Sequence, residues 1–287
     1  MKKHKICKIL LVILAIFLCV AFYELLGICV AYKKQPEVSN TTKKETKNGS
    51  WNECSENTER AVIIEKNPEA LLQRVRLIKN AKKEIILSTF AFQSDESGKL
   101  ILGALHDAAD RGVHIRLLVD GMESWIDMEG NPYFYGLSSH ENVEIKLYNK
   151  ANPLKPWKIM GRMHDKYLIA DGKRYILGGR NTYNYFLGDF PGHKNYDRDV
   201  LVVCDEPEKE NSVNQLLEYF ETIWEQEDSD YFHDNKKLAN RKSVKNAVLE
   251  LKNGYQKYFE ENKERICDTD YTDETFETEK IALVSNP

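Results

Sequence analysis

Residues 162–181, with the sequence RMHDKYLIADGKRYILGGRN, restrict the fold more than any other stretch of the chain. Apolar and polar residues alternate along its first half, and this alternation is typical of a β-strand. An Asp-Gly turn at 171–172 and a second short apolar run at 175–177 follow. The stretch therefore predicts two consecutive strands of a sheet, joined by a tight turn.

The alternation also predicts which side chains share a face of the first strand. Residues two apart point the same way on a strand, so we expect His164 and Lys166 to lie together. Leu168 continues that face, whereas Tyr167 belongs to the opposite one. One face of this strand therefore presents an imidazole and an ammonium group side by side.

The end of the second strand adds an amide to this pair. Gly178 and Gly179 precede Asn181, and glycine lets the backbone approach a ligand closely. An ammonium donor makes strong hydrogen bonds to a charged oxygen. We therefore predict a phosphate site that is formed by His164, Lys166 and Asn181, with Gly179 in contact with the phosphate.

Cleavage of a phosphodiester requires a nucleophile, a proton donor for the leaving alcohol and positive charge beside the phosphate oxygens. A neutral imidazole at His164 can attack phosphorus, and a carboxylate on its other nitrogen would fix its tautomer. Asp197 and Asp199 lie on one face of the next predicted strand, and we favour Asp199 for this role. The sequence has no cluster with the spacing of metal ligands, so we predict neither a metal nor another cofactor.

The pattern H-x-K-x-x-x-x-D, followed by G-G-x-N, resembles the signature of the phospholipase D superfamily. The stretches LILGALHDAADRGVHIRLLVDG and DRDVLV extend the resemblance to bacterial cardiolipin synthases, over about residues 60–226. The resemblance implies that His164 is the nucleophile and that Lys166 and Asn181 hold phosphate. It also implies that Asp171, the aspartate of the motif, supports the structure of the motif and is not a proton carrier.

Strands and helices alternate between residues 59 and 228, which predicts an α/β fold with a mixed sheet. The resemblance makes this a phospholipase D-like α/β/α sandwich. Asn67 is expected to cap the first helix of this domain, with Pro68 in its first turn. The predicted strands outside the motif lie at 84–92, 113–120, 143–148 and 199–203, and the predicted closing helix lies at 212–226.

Residues 9–32 are apolar except for Glu24 and are long enough to cross a bilayer as a helix. No small-x-small site follows, so an uncleaved transmembrane anchor is favoured over a cleaved signal peptide. Four lysines precede the segment and two follow it. This excess predicts a cytoplasmic tail at 1–8 and an extracytoplasmic body, connected by a polar stalk at 33–58.

The charge is distributed unevenly. The chain carries −4 in total, with six Lys and one Glu in residues 1–34 and 21 acidic against 11 basic residues in 205–287. The middle of the chain is therefore close to neutral, which argues against nucleic acid as the partner. A basic run at 150–166 is either a solvated face or a site for anionic headgroups, and these two interpretations weigh equally.

The superfamily site is built from two such motifs, because a second histidine must protonate the leaving alcohol, yet the pattern occurs only once in this sequence. Residues 229–277 are predicted to form an acidic helical extension, and residues 278–287 resemble the first strand of a second repeat. We expect the missing half to come from a longer chain of which this is the amino-terminal half, or from a separately encoded chain. The alternative is a homodimer that supplies the second histidine by symmetry.

The leading predicted function is that of a membrane-anchored phosphatidyltransferase of the cardiolipin synthase type, acting on phosphatidylglycerol-like phospholipids. A hydrolytic phospholipase D would use the same covalent step with water as the acceptor, and only exclusion of water from the site separates the two. A nuclease acting as a one-motif dimer and a non-catalytic interaction module are the other two alternatives. The neutral charge and the predicted anchor argue against the nuclease, and the intact motif argues against the module.

Overall fold

The computed structural model describes residues 2–33, 43–44, 59–204, 206, 211–233, 235–279 and 281–283. Helix α1 (Lys2–Lys33) comes first, and an α/β body follows. The strands of the body are β1 (Glu59–Ile64), β2 (Glu84–Thr89), β3 (His114–Asp120), β4 (Val143–Tyr148), β5 (Tyr167–Ala170), β6 (Arg174–Gly178), β7 (Asp199–Cys204), β8 (Ser229–Tyr231) and β9 (Phe276–Glu277). Its helices are α2 (Asn67–Asn80), α3 (Glu96–Asp110), α4 (Gly121–Met128), α5 (Pro132–Ser138), α6 (Ser212–Trp224), α7 (Lys242–Glu261) and α8 (Lys263–Cys267).

The strands form one mixed sheet in the order β8-β4-β3-β2-β5-β6-β7-β1-β9. Strands β2, β3 and β4 are parallel to one another, as expected where helices connect them. The remaining pairs are antiparallel, including the tight β5–β6 hairpin. This mixed sheet confirms the predicted fold class.

The two faces of the sheet pack against different helices, and β5 contributes to both cores. Leu168 and Ala170 belong to the core that contains α2, α3 and α7. Tyr167 and Ile169 belong to the core on the opposite face, which α6 covers. The alternation of faces that the sequence predicts along this strand is therefore confirmed.

The start of α2 differs from the prediction. Asn67 is the first helical residue, and the capping position belongs to Lys66, whose side chain makes no capping bond. The side chain of Asn67 instead makes tertiary contacts: its amide donates to the carbonyl of Asn195 at 2.8 Å, and its oxygen accepts from Arg180 at 3.2 Å. The predicted cap at Asn67 is wrong because these distant groups bind its side chain.

Residues 229–277 are an integral part of the sheet and its core. Strand β8 pairs with β4 at one edge of the sheet, and β9 pairs with β1 at the other. Helix α7 packs so closely on α3 that a Cβ at Gly103 would overlap Leu251 and Tyr255. The helix predicted within the acidic helical extension forms as α7, and the structure adds strands of this segment at both edges of the sheet.

The predicted strand at 278–287 does not form in the part of it that the structure describes. Residues 281–283 have no strand conformation, whereas 280 and 284–287 lie outside the described residues. The amide of Leu283 donates to the side-chain oxygen of Gln215 at 2.8 Å, and Leu283 packs against the α6 core. The predicted stalk at 33–58 also lies outside the described residues, except for positions 33, 43 and 44.

Candidate active site

The segment just before β5 carries the two leading candidates. His164 and Lys166 lie in extended backbone ahead of Tyr167, where the strand begins. The carbonyl of Lys166 accepts from the amide of Gly178 at 3.1 Å, so the pairing with β6 extends past the end of the strand. His164 is exposed, and Lys166 is buried with its ammonium group bonded to the carbonyl of His164 at 2.5 Å.

The alternation of faces continues through this segment. Met163 packs in the core on the α6 face, and Asp165 accepts a hydrogen bond from the hydroxyl of Tyr219 on α6 at 2.8 Å. His164 and Lys166 occupy the alternate positions and so lie on the opposite face of the sheet. The extended backbone brings the predicted pair together as the sequence pattern indicates.

Phe90, directly after β2, forms the floor beneath this pair. Its ring centroid lies 4.7 Å from that of His164, and the planes are inclined at 59°. The same ring lies 5.2 Å from the ammonium nitrogen of Lys166 and 5.0 Å from the guanidinium carbon of Arg162. Three cationic or imidazole groups therefore lie close to one aromatic ring, whose faces attract positive charge through the ring quadrupole.

The electrostatics of the pair suit a nucleophile beside a cation. Partial desolvation lowers the pKa of His164 from its ordinary value of 6.5, and the charge of Lys166 lowers it further. The imidazole is therefore mainly neutral at pH 7, the form that can attack phosphorus. Burial lowers the pKa of Lys166 to about 8, although the charge of Asp165 and then that of Asp197 oppose the shift.

Asp120, at the carboxyl end of β3, holds the segment that carries His164. This fully buried carboxylate accepts from Nε of Arg162 at 3.0 Å, from Nη2 of the same guanidinium at 2.8 Å and from the amide of Met163 at 3.1 Å. It also caps α4 by accepting from the amides of Met122 and Glu123. One carboxylate thus ties α4 to the backbone next to the candidate nucleophile.

Asn181 lies beside the same end of β2. Its side-chain oxygen accepts from the amide of Ala91 at 3.2 Å, and Ala91 directly follows Phe90. Because this bond occupies the oxygen, the NH₂ group of Asn181 remains as the donor available to a ligand. The structure therefore brings the end of β6 to the floor of the site, as the sequence predicts for Asn181.

The two glycines of the motif lie against two acidic side chains. A Cβ at Gly178 would overlap the carboxylate of Asp199, and a Cβ at Gly179 would overlap that of Asp197. The space that glycine leaves is thus occupied by side chains of the neighbouring strand. Contact between Gly179 and a phosphate stays a prediction.

The acid predicted to orient His164 has other partners. Asp199 is buried, and its Oδ2 accepts from Arg74 at 2.9 Å and lies 3.2 Å from Nη1 of Arg180. Among the described residues, neither Asp199 nor Asp197 has a hydrogen bond to the imidazole. Asp199 therefore belongs to a buried ion-pair cluster, which corrects its predicted role.

Asp171 lies at the opposite end of β5 from the site, about 20 Å from His164 for an extended chain of this length. It has a left-handed backbone conformation with φ of 56°. Its carboxylate accepts hydrogen bonds from the backbone amides of residues 82, 83 and 84 at 2.7 to 3.1 Å. The structure places Asp171 as a clamp on the loop between α2 and β2, apart from the imidazole and the ammonium group.

Sequence reasoning missed two groups at this site, Phe90 and Asp120. Both stand at the carboxyl ends of adjacent parallel strands, β2 and β3. Side chains at this position in parallel sheets commonly line ligand sites, so the ends of the predicted strands were the available signal. Neither residue belongs to the motif, and only the pairing of β2 with β5 brings them to it.

The mixed sheet, with His164 and Lys166 just before β5 and Asn181 just after β6, defines a phospholipase D-like domain. Residues 74–224 match the family model described as "Cardiolipin synthase, PLD-like domain", which covers more than half of the chain. The chain belongs to this family. The predicted membership of the phospholipase D superfamily, in the branch of the cardiolipin synthases, is confirmed.

Two curated relatives are similar to this chain over more than half of its length. An uncharacterized protein of Helicobacter pylori strain J99 is 30% identical over 212 residues, which are 69% of this chain and 39% of that protein. Cardiolipin synthase C of Escherichia coli K12 is 29% identical over 171 residues, which are 55% of this chain and 34% of that enzyme. The chain thus spans well under half the length of these relatives.

Among solved structures, phosphatidylserine synthase from Haemophilus influenzae Rd KW20 has a similar fold. The superposition has a TM-score of 0.50 at 17% sequence identity and covers 77% of this chain and 48% of that one. At this identity the similarity concerns the fold. It agrees with the mixed α/β sheet described above.

Proposed function

We propose that the site transfers a phosphatidyl group between alcohols through a phosphohistidine at His164. An imidazole nitrogen attacks the phosphorus of a phospholipid, the P–N bond forms and the P–O bond to the leaving alcohol breaks. The oxygen of a second alcohol then attacks phosphorus, the P–N bond breaks and the imidazole is restored. The observation that carries this proposal is an exposed imidazole with a lowered pKa directly beside a buried ammonium group.

The surrounding groups have roles that follow from their contacts. Lys166 and the NH₂ group of Asn181 bind the phosphate oxygens and stabilise the charge that develops on them. Phe90 holds the imidazole at a fixed tilt, and Asp120 fixes the backbone at 162–163 through its hydrogen bonds. The acceptor is an alcohol of a second lipid, such as phosphatidylglycerol.

The proton for the leaving alcohol comes from a second half-site. One imidazole cannot be neutral for attack and protonated for donation in the same step. We propose that a second histidine is supplied by a longer chain, by a separate chain or by a symmetric copy of this one. The greater length of the curated relatives supports the first source.

The proposed location is the membrane. The segment His4–Lys33 is long and apolar enough to cross a bilayer, and the lysine asymmetry around it supports a body outside the cytoplasm. Protease added to intact cells should then remove the body from the anchor. Protection in intact cells together with cleavage in inverted vesicles would reverse the orientation.

The proposed nucleophile can be tested without the second half-site. The test uses a substrate whose leaving group needs no proton. The full chain in vesicles is given phosphatidyl-p-nitrophenol, which carries the label in its phosphoryl group, and the reaction is stopped with alkali. A burst of nitrophenolate and alkali-stable, acid-labile label on the protein are expected. Both should be absent in His164→Ala and retained in His193→Ala, which changes an exposed histidine on another loop.

The products then identify the acceptor. A new phosphodiester lipid formed from added phosphatidylglycerol supports transfer, whereas phosphatidic acid alone would establish the hydrolase. Two results would refute the phosphohistidine. One is label on the His164→Ala protein, and the other is activity that a chelator abolishes and zinc restores. Cleavage of DNA without any reaction of the lipid would establish the nuclease.

A further inference from the structure

A group of exposed apolar side chains borders the site on two neighbouring segments. Helix α4 and the loop at 149–161 carry five large side chains whose exposed fractions lie between 45% and 77%. We call them the rim cluster, which consists of Trp125, Ile126, Leu154, Trp157 and Met160. Single exposed apolar residues are ordinary, but five of them on two segments that line a common cavity point to an interaction surface.

The two segments of the rim cluster are held next to each other and next to the nucleophile. Met122 of α4 and Pro156 of the loop line one cavity of about 160 Å³. Asp120 caps α4 and binds Arg162, the residue that follows the loop. His164 is two residues further along the chain, so the loop of the rim cluster leads directly into the segment that carries the imidazole.

The loop at 149–161 also contacts helix α1. The hydroxyl of Tyr23 donates to the carbonyl of Leu154 at 2.8 Å. Gly27, the one buried position between residues 4 and 33 of α1, lies against Pro156, where a Cβ would overlap the proline ring. The loop therefore touches α1 near its carboxyl end, on the side of the body.

The position of this contact along α1 sets its depth in a bilayer. From Gly27 to the end of α1 at Lys33 the helix rises about 9 Å. The apolar run at 9–32 is about 36 Å long, which exceeds a hydrocarbon core of about 30 Å. The contact with Pro156 thus lies near the boundary between acyl chains and headgroups, and the loop that carries Leu154, Trp157 and Met160 lies at this level.

Positive charge on the loop at 149–161 matches an anionic surface, whereas α4 carries Glu123 and Asp127 beside its two exposed apolar residues. Lys150, Lys155 and Lys158 come from the same loop, and all three line the cavity beside Pro156. Glu24, the acidic residue of the apolar run, lines the same cavity and so faces these lysines. Tryptophan and lysine together are the residues that settle at a membrane interface, with rings among the headgroups and ammonium groups on the phosphates.

We propose that the rim cluster inserts into the interface of an anionic phospholipid bilayer, the same bilayer that α1 spans. The insertion holds the mouth of the site against the membrane, so that a lipid phosphate reaches His164 while its acyl chains stay in the bilayer. This consequence for catalysis rests on the proposed function, but the insertion itself does not. Tryptophan fluorescence measures the insertion directly.

The chain has four tryptophans, at 51, 125, 157 and 224. The full chain is reconstituted in vesicles of phosphatidylcholine and phosphatidylglycerol whose acyl chains are brominated, a quencher of tryptophan emission. One variant, W51F/W125F, keeps Trp157 and Trp224, and its control, W51F/W125F/W157F, keeps only Trp224. Trp224 is buried against Phe220 and is unchanged in both variants, so it is the internal reference for a tryptophan inside the body.

The difference between the two variants reports on Trp157. We expect the emission of Trp157 to be quenched at least about twofold more strongly than that of Trp224. Trp125 is measured in the same way, by comparing W51F/W157F with W51F/W125F/W157F, and should give the same result. Quenching no greater than that of Trp224 would overturn the proposal. Circular dichroism of each variant confirms that the helices and strands are intact.

The choice of lipid has its own control. Lys155→Glu should weaken the quenching of Trp157 in vesicles that contain phosphatidylglycerol and leave it unchanged in pure phosphatidylcholine. An equal response in both lipids would overturn the anionic bilayer as the partner. Measuring the quenching and the nitrophenolate burst on the unaltered full chain separates the proposals: quenching without a burst retains the surface and refutes the function, whereas a burst without quenching does the opposite.

Discussion

The motif segment at 162–181 and the carboxyl-terminal segment at 229–277 contribute to the molecule in opposite ways. The motif segment is a local hairpin whose key side chains lie within 18 residues of one another, from His164 to Asn181. The carboxyl-terminal segment reaches both edges of the sheet, with β8 on β4 and β9 on β1. Chemistry is concentrated in a short stretch, whereas closure of the sheet depends on contacts between distant parts of the chain.

The energetics of the two segments differ for the same reason. His164 is exposed, so its removal leaves no cavity in the core. Helix α7 instead buries a stripe of residues spaced three or four apart, namely Val244, Ala247, Leu251, Tyr255 and Phe259. We therefore expect changes in the motif segment to alter rate, and changes in the carboxyl-terminal segment to alter stability.

The largest expected effect is that of His164→Ala on the rate of transfer. Loss of the proposed nucleophile should lower kcat by about 10⁴-fold or more, because the proposed covalent intermediate could not form. The thermal midpoint should not change, since the side chain is exposed and outside both cores. Kinetics and calorimetry on the same preparation measure the rate and the thermal midpoint. A large fall in the midpoint would contradict the expectation that changes in the motif segment alter rate and not stability.

The second-largest expected effect concerns Arg180, a residue of the motif segment that supports the fold. Arg180 is buried, pairs with Asp199 and donates to the carbonyls of Ile64 and Glu65. Arg180→Met should lower the free energy of unfolding by about 3–5 kcal/mol, because it leaves a buried carboxylate and carbonyls short of partners. Denaturant titration in detergent micelles measures the change.

The matched control is Arg198→Met. Arg198 also pairs with a carboxylate, that of Glu65, but both side chains are mostly exposed. This change should cost no more than about 0.5 kcal/mol. If both variants lose a similar free energy of unfolding, burial of the ion pairs around Asp199 does not determine how much they stabilise the fold.

In the carboxyl-terminal segment, Leu251→Ala should lower the free energy of unfolding by about 2–4 kcal/mol through the cavity it leaves. Leu251 is buried against α3, and Leu249 on the same helix is exposed. Leu249→Ala should therefore change stability by less than about 0.5 kcal/mol. The activity of the remaining folded Leu251→Ala protein should equal that of the wild type, and a large loss of kcat would couple α7 to the site.

The smallest effect concerns pH. Because attack requires neutral His164, whose pKa is lowered from 6.5, kcat/KM should rise through a pKa below that value as pH increases. Because Lys166 must be charged and its pKa is about 8, kcat/KM should then fall about tenfold between about pH 7 and about pH 9. Lys166→Arg should move the descending limb to higher pH, since a guanidinium stays charged. If the descending limb of the pH profile does not move in Lys166→Arg, it reports the titration of another group.

Local periodicity accounts for the part of this structure that the sequence predicts correctly. Alternation with a period of two residues places His164 and Lys166 on one face and Tyr167 on the other, because successive side chains of extended backbone point to opposite sides. The order of strands and helices, and the apolar length of α1, follow from similar local patterns. These properties need no knowledge of which strands are neighbours.

The tertiary structure decided everything that depends on neighbours in the sheet. Sequence position makes Asp199 a reasonable partner for His164, yet β7 lies between β6 and β1 and carries this acid to Arg74 of α2, 125 positions away. Phe90 and Asp120 reach the motif because β2 pairs with β5 and with β3. Which carboxylate meets which cation depends on the order of the strands, and that order results from burial of the two cores rather than from any local pattern.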